Sequence, residues 1–152
     1  MFRGSTTTSL DAKGRMGLPV RAREQLMAVD EGNLVVTIDP ADKCLLLYPL
    51  GAWEKLQSQL EALDNLRAGV RALQRVMIGH ATDVQIDSAG RILLPALLRD
   101  FAGLDKTAIL VGQGKKFEIW AEDRWTTRRD HWQATSEEEL AKAKEVVVGL
   151  SI

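Results

Sequence analysis

The 152-residue sequence predicts a β-rich α+β protein built from two tandem copies of one structural unit. Three observations carry that expectation. The stretch DAKGRMGLP at Asp11 to Pro19 returns as DSAGRILLP at Asp87 to Pro95, with five of nine positions identical. The identical residues are Asp, Gly, Arg, Leu and Pro, a mixture of turn, charge and helix-start residues rather than a recurring apolar run. Extended backward at the same offset of 76, the repeat pairs Thr6 with Thr82 and Leu10 with Ile86; forward, it pairs Arg23 with Arg99. After a four-residue shift, Ile38 pairs with Leu110, Leu45 with Phe117, Leu47 with Ile119, Tyr48 with Trp120 and Trp53 with Trp125.

Each unit reads in the same order. Asp11 with Gly14, and Asp87 with Gly90, occupy the first and fourth positions of a type I β-turn. Period-two alternation marks short strands around it, with Val84 and Ile86 before the turn and Met16 with Leu18, or Ile92 with Leu94, after it. Pro19 and Pro95 suit the first helical position, where the missing N–H costs nothing, and predict helices over 20–28 and 96–102. Gly103 suits the end of the second helix, and Gly32 follows the first. Two hairpins complete the units, 34–38 with 45–48 and 108–111 with 117–120, through connectors of hairpin length.

Between the units, Leu56, Leu60, Leu63, Val70, Leu73 and Met77 fall at helical spacing, with Asp64-Asn65 and Gly69 predicting a split into two helices. Beyond Trp125, Ser136 with Glu139 fits a capping box for a last helix reaching about Val147. The expected organisation is therefore a first unit over 5–52, a helical connector over 53–80, a second unit over 81–124 and a helical tail over 125–152.

Composition bounds the function. With 45% hydrophobic and 27% charged residues the chain reads as an ordinary globular protein. The formal net charge of −1 excludes a uniformly basic nucleic-acid coat, but a balanced total can hide a basic face. Residues 1–25 carry Arg3, Lys13, Arg15, Arg21 and Arg23 against only Asp11 and Glu24, whereas the tail is acidic. A single cysteine, Cys44, predicts no internal disulfide and no cysteine-based metal cluster, in keeping with a reducing cytoplasm. No leader-like apolar segment and no run able to span a bilayer is present, so no membrane partner is expected.

The chemistry centres on the two arginines after the turn glycines. An Asp four residues earlier can hold each guanidinium by a charge-assisted hydrogen bond and so aim it. Read functionally, Arg15, with Lys13, Arg3, Arg21 and Arg23, presents to phosphates or guanine edges of DNA. Read architecturally, the Asp and Arg pairs fix the turns and the packing of two halves; that accounts for Asp11, Asp87, Gly14 and Gly90. It leaves unexplained why the first copy has Lys13, Arg21 and Arg23 where the second has Ala89, Leu97 and Arg99. Gly112-Gln-Gly114 before Lys115-Lys116 resembles a phosphate loop, but a strand rather than a helix follows, so it reads as a hairpin tip. His80 and His131 lack partners at metal-ligand spacing. No nucleophile motif is present, and a hydrolase using Asp83 or Asp87 lacks the rest of a catalytic set. Neither a cofactor nor a metal is expected, and the protein is not expected to be an enzyme. Tyr48, Trp53, Trp120 and Trp125 read as packing residues rather than base-stacking ones.

The tandem D-x-x-G-R motif followed by L-P and a short helix resembles the MraZ family of bacterial transcriptional regulators. Phe2-Arg3-Gly4, Leu45 to Pro49 with Trp53, Gly79-His80-Ala81 and Phe117 to Trp120 extend the resemblance over nearly the whole chain. It implies two tandem AbrB-like swapped-hairpin units packed as a pseudo-twofold barrel. It also implies a cytoplasmic, nucleoid-associated regulator that binds short tandem repeats in double-stranded promoter DNA, upstream of its own cell-division and cell-wall operon. Self-assembly into ring-shaped homo-oligomers is implied as well. The family's DNA-facing Asp and Arg correspond to Asp11 and Arg15. Arg91 is the matching second-unit contact, although Ala89 stands in the lysine position there. Asp11 and Asp87 are expected to orient the arginines, and Gly14, Gly90, Pro19 and Pro95 to shape the backbone. The competing reading is an oligomeric protein-interaction scaffold in which the Asp and Arg pairs are structural.

Overall fold

The computed structural model describes residues 1–150. Its order is β1 (Phe2–Ser9), β2 (Arg15–Gly17), α1 (Val20–Ala28), a 3-10 turn (Asp30–Gly32), β3 (Asn33–Ile38), β4 (Leu45–Pro49), α2 (Leu50–Glu61) and α3 (Ala68–Met77). The second copy follows with β5 (Thr82–Gln85), β6 (Arg91–Leu93), α4 (Ala96–Ala102), β7 (Thr107–Gly114) and β8 (Phe117–Trp120), then α5 (Glu122–Lys142) and α6 (Lys144–Val147). Residues Met1–Glu122 form one compact unit and the chain from Asp123 onward forms another.

The two copies exchange strands. Antiparallel pairing runs β1-β7-β8-β4-β3-β5, so the first copy's β1 lies on the second copy's hairpin, and the second copy's β5 lies on the first copy's hairpin. The hairpins join through β4 and β8, with Leu46 opposite Glu118. β2 and β6 form a separate two-stranded ribbon with Met16 opposite Ile92. The fold is thus mixed α+β around a six-stranded antiparallel sheet. The expected closed barrel is not what the strands make: β1 and β5 end the sheet at opposite edges, and the ribbon is a second sheet that shares the main core with it.

Alternation along the strands supplies two apolar faces. Leu34, Val36, Leu45, Leu47 and Ile119 belong to the main core with Met16, Ile92, Leu94, Leu26 and Leu98. Val35, Leu46 and Tyr48 face the other way and are covered by Trp53 and Leu60 of α2 and Met77 of α3. Because both faces of β4 are buried, it reads as the continuous run LLLYP rather than an alternating one. The buried Thr37 hydroxyl donates to the Met77 carbonyl at 2.6 Å, tying the end of α3 to β3. Tyr48, Trp53 and Trp120 are buried, as the packing reading expects.

Several local expectations shift. Pro19 and Pro95 stand one residue before their helices as N-caps with ψ near 145°, their carbonyls accepting from Arg23 and Arg99 at 2.9 and 3.0 Å. Gly103 does end α4, with φ of 67°. Gly32 does not cap α1: Asp30 and Glu31 take positive φ in between, and the Asp30 carboxylate accepts the Gly51 N–H at the start of α2. Gly69 lies inside α3 instead of breaking the connector. β7 continues to Gly114 because β1 pairs with it as far as Phe2 opposite Gly114. Ser136 is mid-helix, not a cap; α5 begins at Glu122, and the Ser136 hydroxyl donates back to Gln133 at 3.3 Å. Within α5, Trp125 meets Trp132 edge-on at 5.8 Å and Arg128, four residues before Trp132, lies over its ring, so the helix is already formed upstream of Ser136. Residues 151 and 152 of the expected tail lie outside the described residues. No helix among the described residues is long and apolar enough to cross a membrane.

Candidate nucleic-acid interface

The two turns close alike. The Gly14 N–H donates to the Asp11 carbonyl and the Gly90 N–H to the Asp87 carbonyl, each at 3.0 Å, with both glycines at positive φ. Asp11 Oδ1 accepts the N–H groups of Lys13 and Arg15 at 3.0 and 2.9 Å; Asp87 Oδ1 accepts those of Ala89 and Arg91, both at 2.9 Å. Backbone donors, led by the arginine N–H in each case, hold both carboxyls below the usual aspartate range. Each aspartate therefore stays ionised while it shapes its loop.

The side chains break the symmetry. Arg15 Nε donates to Asp11 Oδ2 at 2.7 Å, leaving the terminal Nη groups beyond the aspartate. Arg91 Nε is buried and makes no hydrogen bond among the described residues; it sits 3.4 Å from Asp87 Oδ2, while Arg91 Nη1 reaches 3.8 Å from Asp11 Oδ2 of the other copy. Arg91 is thus shared between two aspartates, and Arg15 is committed to one. Alternation along the ribbon buries Met16 and Ile92 and sends Arg15 and Arg91 to the opposite, half-exposed face.

Each turn is also closed by the other copy. The Leu18 N–H donates to the Gly90 carbonyl at 3.0 Å and the Leu94 N–H to the Gly14 carbonyl at 2.9 Å. The Arg23 guanidinium lies against Gly90, and that of Arg99 lies against Gly14, where any β-carbon would strike it. Arg99 Nε also donates to the Leu94 carbonyl at 3.0 Å. Reading the basic segment alone missed this crossing, although the pairing of Arg23 with Arg99 at offset 76 was its signal.

The predicted basic residues consequently separate. Lys13 is exposed at the tip of the first turn, beside half-exposed Arg15, and Arg21 is exposed on the first turn of α1. Arg23 is half-buried over Gly90. Arg3 is exposed, but it lies opposite Gln113 near the start of β1; Asp11 is eight residue steps further along, about 27 Å if extended throughout. The structure does not gather Arg3 with the ribbon. On the second copy, Leu93 and Leu97 are 56% and 66% exposed where the first copy has Gly17 and Arg21, and Leu93 lies directly opposite Arg15 across the ribbon. His80 serves structure, its Nδ1 lying 2.8 Å from the Val76 carbonyl.

Comparison with known proteins agrees with the tandem geometry. The family model described as "MraZ protein, putative antitoxin-like" matches residues 1–76 and again residues 77–147, one match for each strand-exchanging copy. The chain is 53% identical over 132 residues to the transcriptional regulator MraZ of Marinomonas sp., covering 87% of each chain. It is 49% identical to that of Thioalkalivibrio sulfidiphilus over the full length of both. A solution structure of PHS018 from Pyrococcus horikoshii covers 80% of this chain and 98% of its own at a TM-score of 0.34 and 11% identity, too remote to bear on the fold. Two successive matches to one family, and near-half identity along whole chains, mean that the chain belongs to the MraZ family.

Proposed function

We propose that the protein is a sequence-specific DNA-binding transcriptional regulator, acting as a repressor of its own cell-division and cell-wall operon. The observation that carries this reading is Arg15: its Nε is fixed by Asp11 while its outer nitrogens and neighbouring Lys13 remain at the surface, an aimed fork of the kind that reads guanine or clamps phosphate. Its relatives are named transcriptional regulators, which supports the same role here. Arg21 extends the basic face, Arg23 contributes at its margin, Arg3 contacts DNA only as a separate site on β1, and Arg91 contacts DNA less because two aspartates share it. Residues 5–52 and 81–124 are the two working units, 53–80 their connector and 125–152 a tail.

One subunit offers few phosphate contacts, each contributing a salt slope of about −0.9. A ring-shaped homo-oligomer in the cytoplasm, associated with the nucleoid, places identical basic faces on successive promoter repeats and gains affinity through effective concentration. The exposed Lys13 and half-exposed Arg15 support this, since each copy of the chain would present the same pair. Repression then follows from promoter occlusion, with no reaction catalysed.

The ion-paired aspartates and the crossed arginines favour a second reading, an interaction scaffold in which these residues only hold the halves together. Binding of wild type and Arg15→Ala to the native upstream fragment and to scrambled DNA, across several salt concentrations, separates the two. The DNA reading expects a steep slope for wild type and a loss of about 1–3 kcal/mol for a folded Arg15→Ala. Equal indifference to both DNAs by an intact oligomer would establish the scaffold instead.

A further inference from the structure

The sequence holds one cysteine and no spacing that signals a metal site, yet the fold brings three donors together on the sheet face away from the ribbon. The sulfur of Cys44 and carboxylate oxygens of Asp39 and Glu118 all lie within 4.8 Å of one another. Topology explains the meeting. Asp39 and Cys44 flank the β3–β4 connector, where the Asp39 N–H donates to the Cys44 carbonyl at 3.1 Å. Glu118 lies opposite Leu46 across β4 and β8, and Leu46 shares its sheet face with Cys44 two residues earlier. The first copy supplies two donors and the second copy one.

We propose that Asp39, Cys44 and Glu118 form a binding site for one divalent transition-metal ion of the zinc class. The donor set is a thiolate with two carboxylates, which fits Zn²⁺ or Co²⁺ with water in a remaining position; hard ions such as Mg²⁺ avoid sulfur. Both carboxylates are already oriented as ligating carboxylates are. Asp39 Oδ1 accepts the N–H groups of Ala41 and Asp42 at 2.7 and 2.8 Å, and Glu118 Oε1 accepts the Trp120 indole N–H at 3.1 Å. Each keeps a second oxygen for an ion.

Cys44 supplies the independent observation. It is fully buried, its thiol makes no hydrogen bond among the described residues, and it is aimed at two acids rather than at apolar side chains alone. Carboxylates beside a buried thiol are costly to desolvate, a cost that a bound cation would offset. Burial pushes the Cys44 thiol and the Glu118 carboxyl up, and Lys116 is the cation that offsets this at both groups. On binding, the Cys44 S–H bond breaks, its proton passes to solvent, and the sulfur electron pair forms the metal bond. The ion would then staple the hairpin of one copy to the last strand of the other.

Chelator-treated wild-type protein titrated with Co²⁺ tests the proposal. The expected result is saturable binding of one ion per chain with an intense near-ultraviolet thiolate-to-cobalt band that excess Zn²⁺ removes. Because Cys44 is the sole cysteine, that band reports on it without any variant. Glu118→Gln and Asp39→Asn, checked for native circular dichroism, should each weaken Co²⁺ binding about tenfold or more. Absence of the band at saturating Co²⁺, or binding by both variants as tight as wild type, would overturn the site and leave Lys116 as the cluster's counter-charge.

Discussion

Replacing Gly90 by alanine tests whether Arg23 belongs to the architecture or is free for DNA. Gly90 has φ of 76°, and a β-carbon there would run into the Arg23 guanidinium and its Cδ. An L-residue in the left-handed region costs roughly 1–2 kcal/mol. Displacing a packed side chain adds a coupling of about 0.5–3 kcal/mol. Gly114 is the internal control: its φ is 78°, and a β-carbon added there would meet nothing within 4 Å, so Gly114→Ala isolates the backbone cost. We expect Gly90→Ala to lose about 1 kcal/mol more than Gly114→Ala, and Arg23→Ala to abolish that excess. At about 2–4 °C per kcal/mol for a chain of this size, the excess is a few degrees in Tm. Urea unfolding at one fixed protein concentration, with each glycine variant made in the wild-type and Arg23→Ala backgrounds, provides the assay. If Gly90→Ala and Gly114→Ala cost the same in both backgrounds, Arg23 does not rest on the second turn.

Acid and alkali should act on different parts of the molecule. Asp11 and Asp87 have carboxyls held below their ordinary value of 3.8, so their stabilisation is complete above that pH and is lost as pH falls below it. Asp11→Asn and Asp87→Asn should therefore be less stable than wild type at neutral pH, with the difference closing in acid unfolding series below pH 3.8. Glu118 has the opposite sign. Burial raises its carboxyl above 4.5, so its favourable protonated form is fully present below 4.5 and lost as pH rises through the folded value. In chelator-containing buffer Glu118→Gln, which keeps an acceptor for Trp120, should melt above wild type at pH 7 and match it below pH 4.5; an unchanged gap across that range would contradict the burial argument.

Much of the fold was legible because the repeat aligns turn chemistry as well as apolar pattern. The helices over 20–28 and 96–102 emerge with the predicted bounds, since a proline before a short amphipathic run and Gly103 after the second leave little choice. β1 was harder to see. Its sequence FRGSTTTS is largely polar, and its strand character comes from β-branched threonines and from a partner, β7, about a hundred residues away. The continuous α5 was obscured because Ser136 with Glu139 mimics a cap, while the helix starts at Glu122 and the Trp125, Arg128 and Trp132 contacts already lie within it upstream. At the candidate interface, the role of Asp11 toward Arg15 could be read from their four-residue spacing. The reach of Arg91 to Asp11 and of Arg23 to Gly90 could not, because both arise from which strands of the two copies meet.

That exchange fixes what half of the chain can do alone. In a fragment of residues 1–76, β1 loses β7, β2 loses β6, and β4 loses β8. Met16, Leu18 and Leu26 would lose the Ile92, Leu94 and Leu98 side of their shared core. Fully burying one such side chain is worth about 1.5–3 kcal/mol, so opening several contacts removes an amount comparable with the roughly 5–15 kcal/mol that holds an ordinary domain. Yet β3 stands to β5 as β7 stands to β1, and the fragment keeps β3 and β1. Two fragments can therefore supply each other's missing neighbours in the same exchanged pattern. The fragment should be unfolded when dilute and gain β-structure only as a dimer, with the transition set by concentration. Light scattering and circular dichroism over a dilution series decide this. A fragment that stays folded and monomeric would mean that each copy closes its own core, against the cross-copy pairing from which the ribbon, its arginines and the mixed metal-ligand cluster all follow.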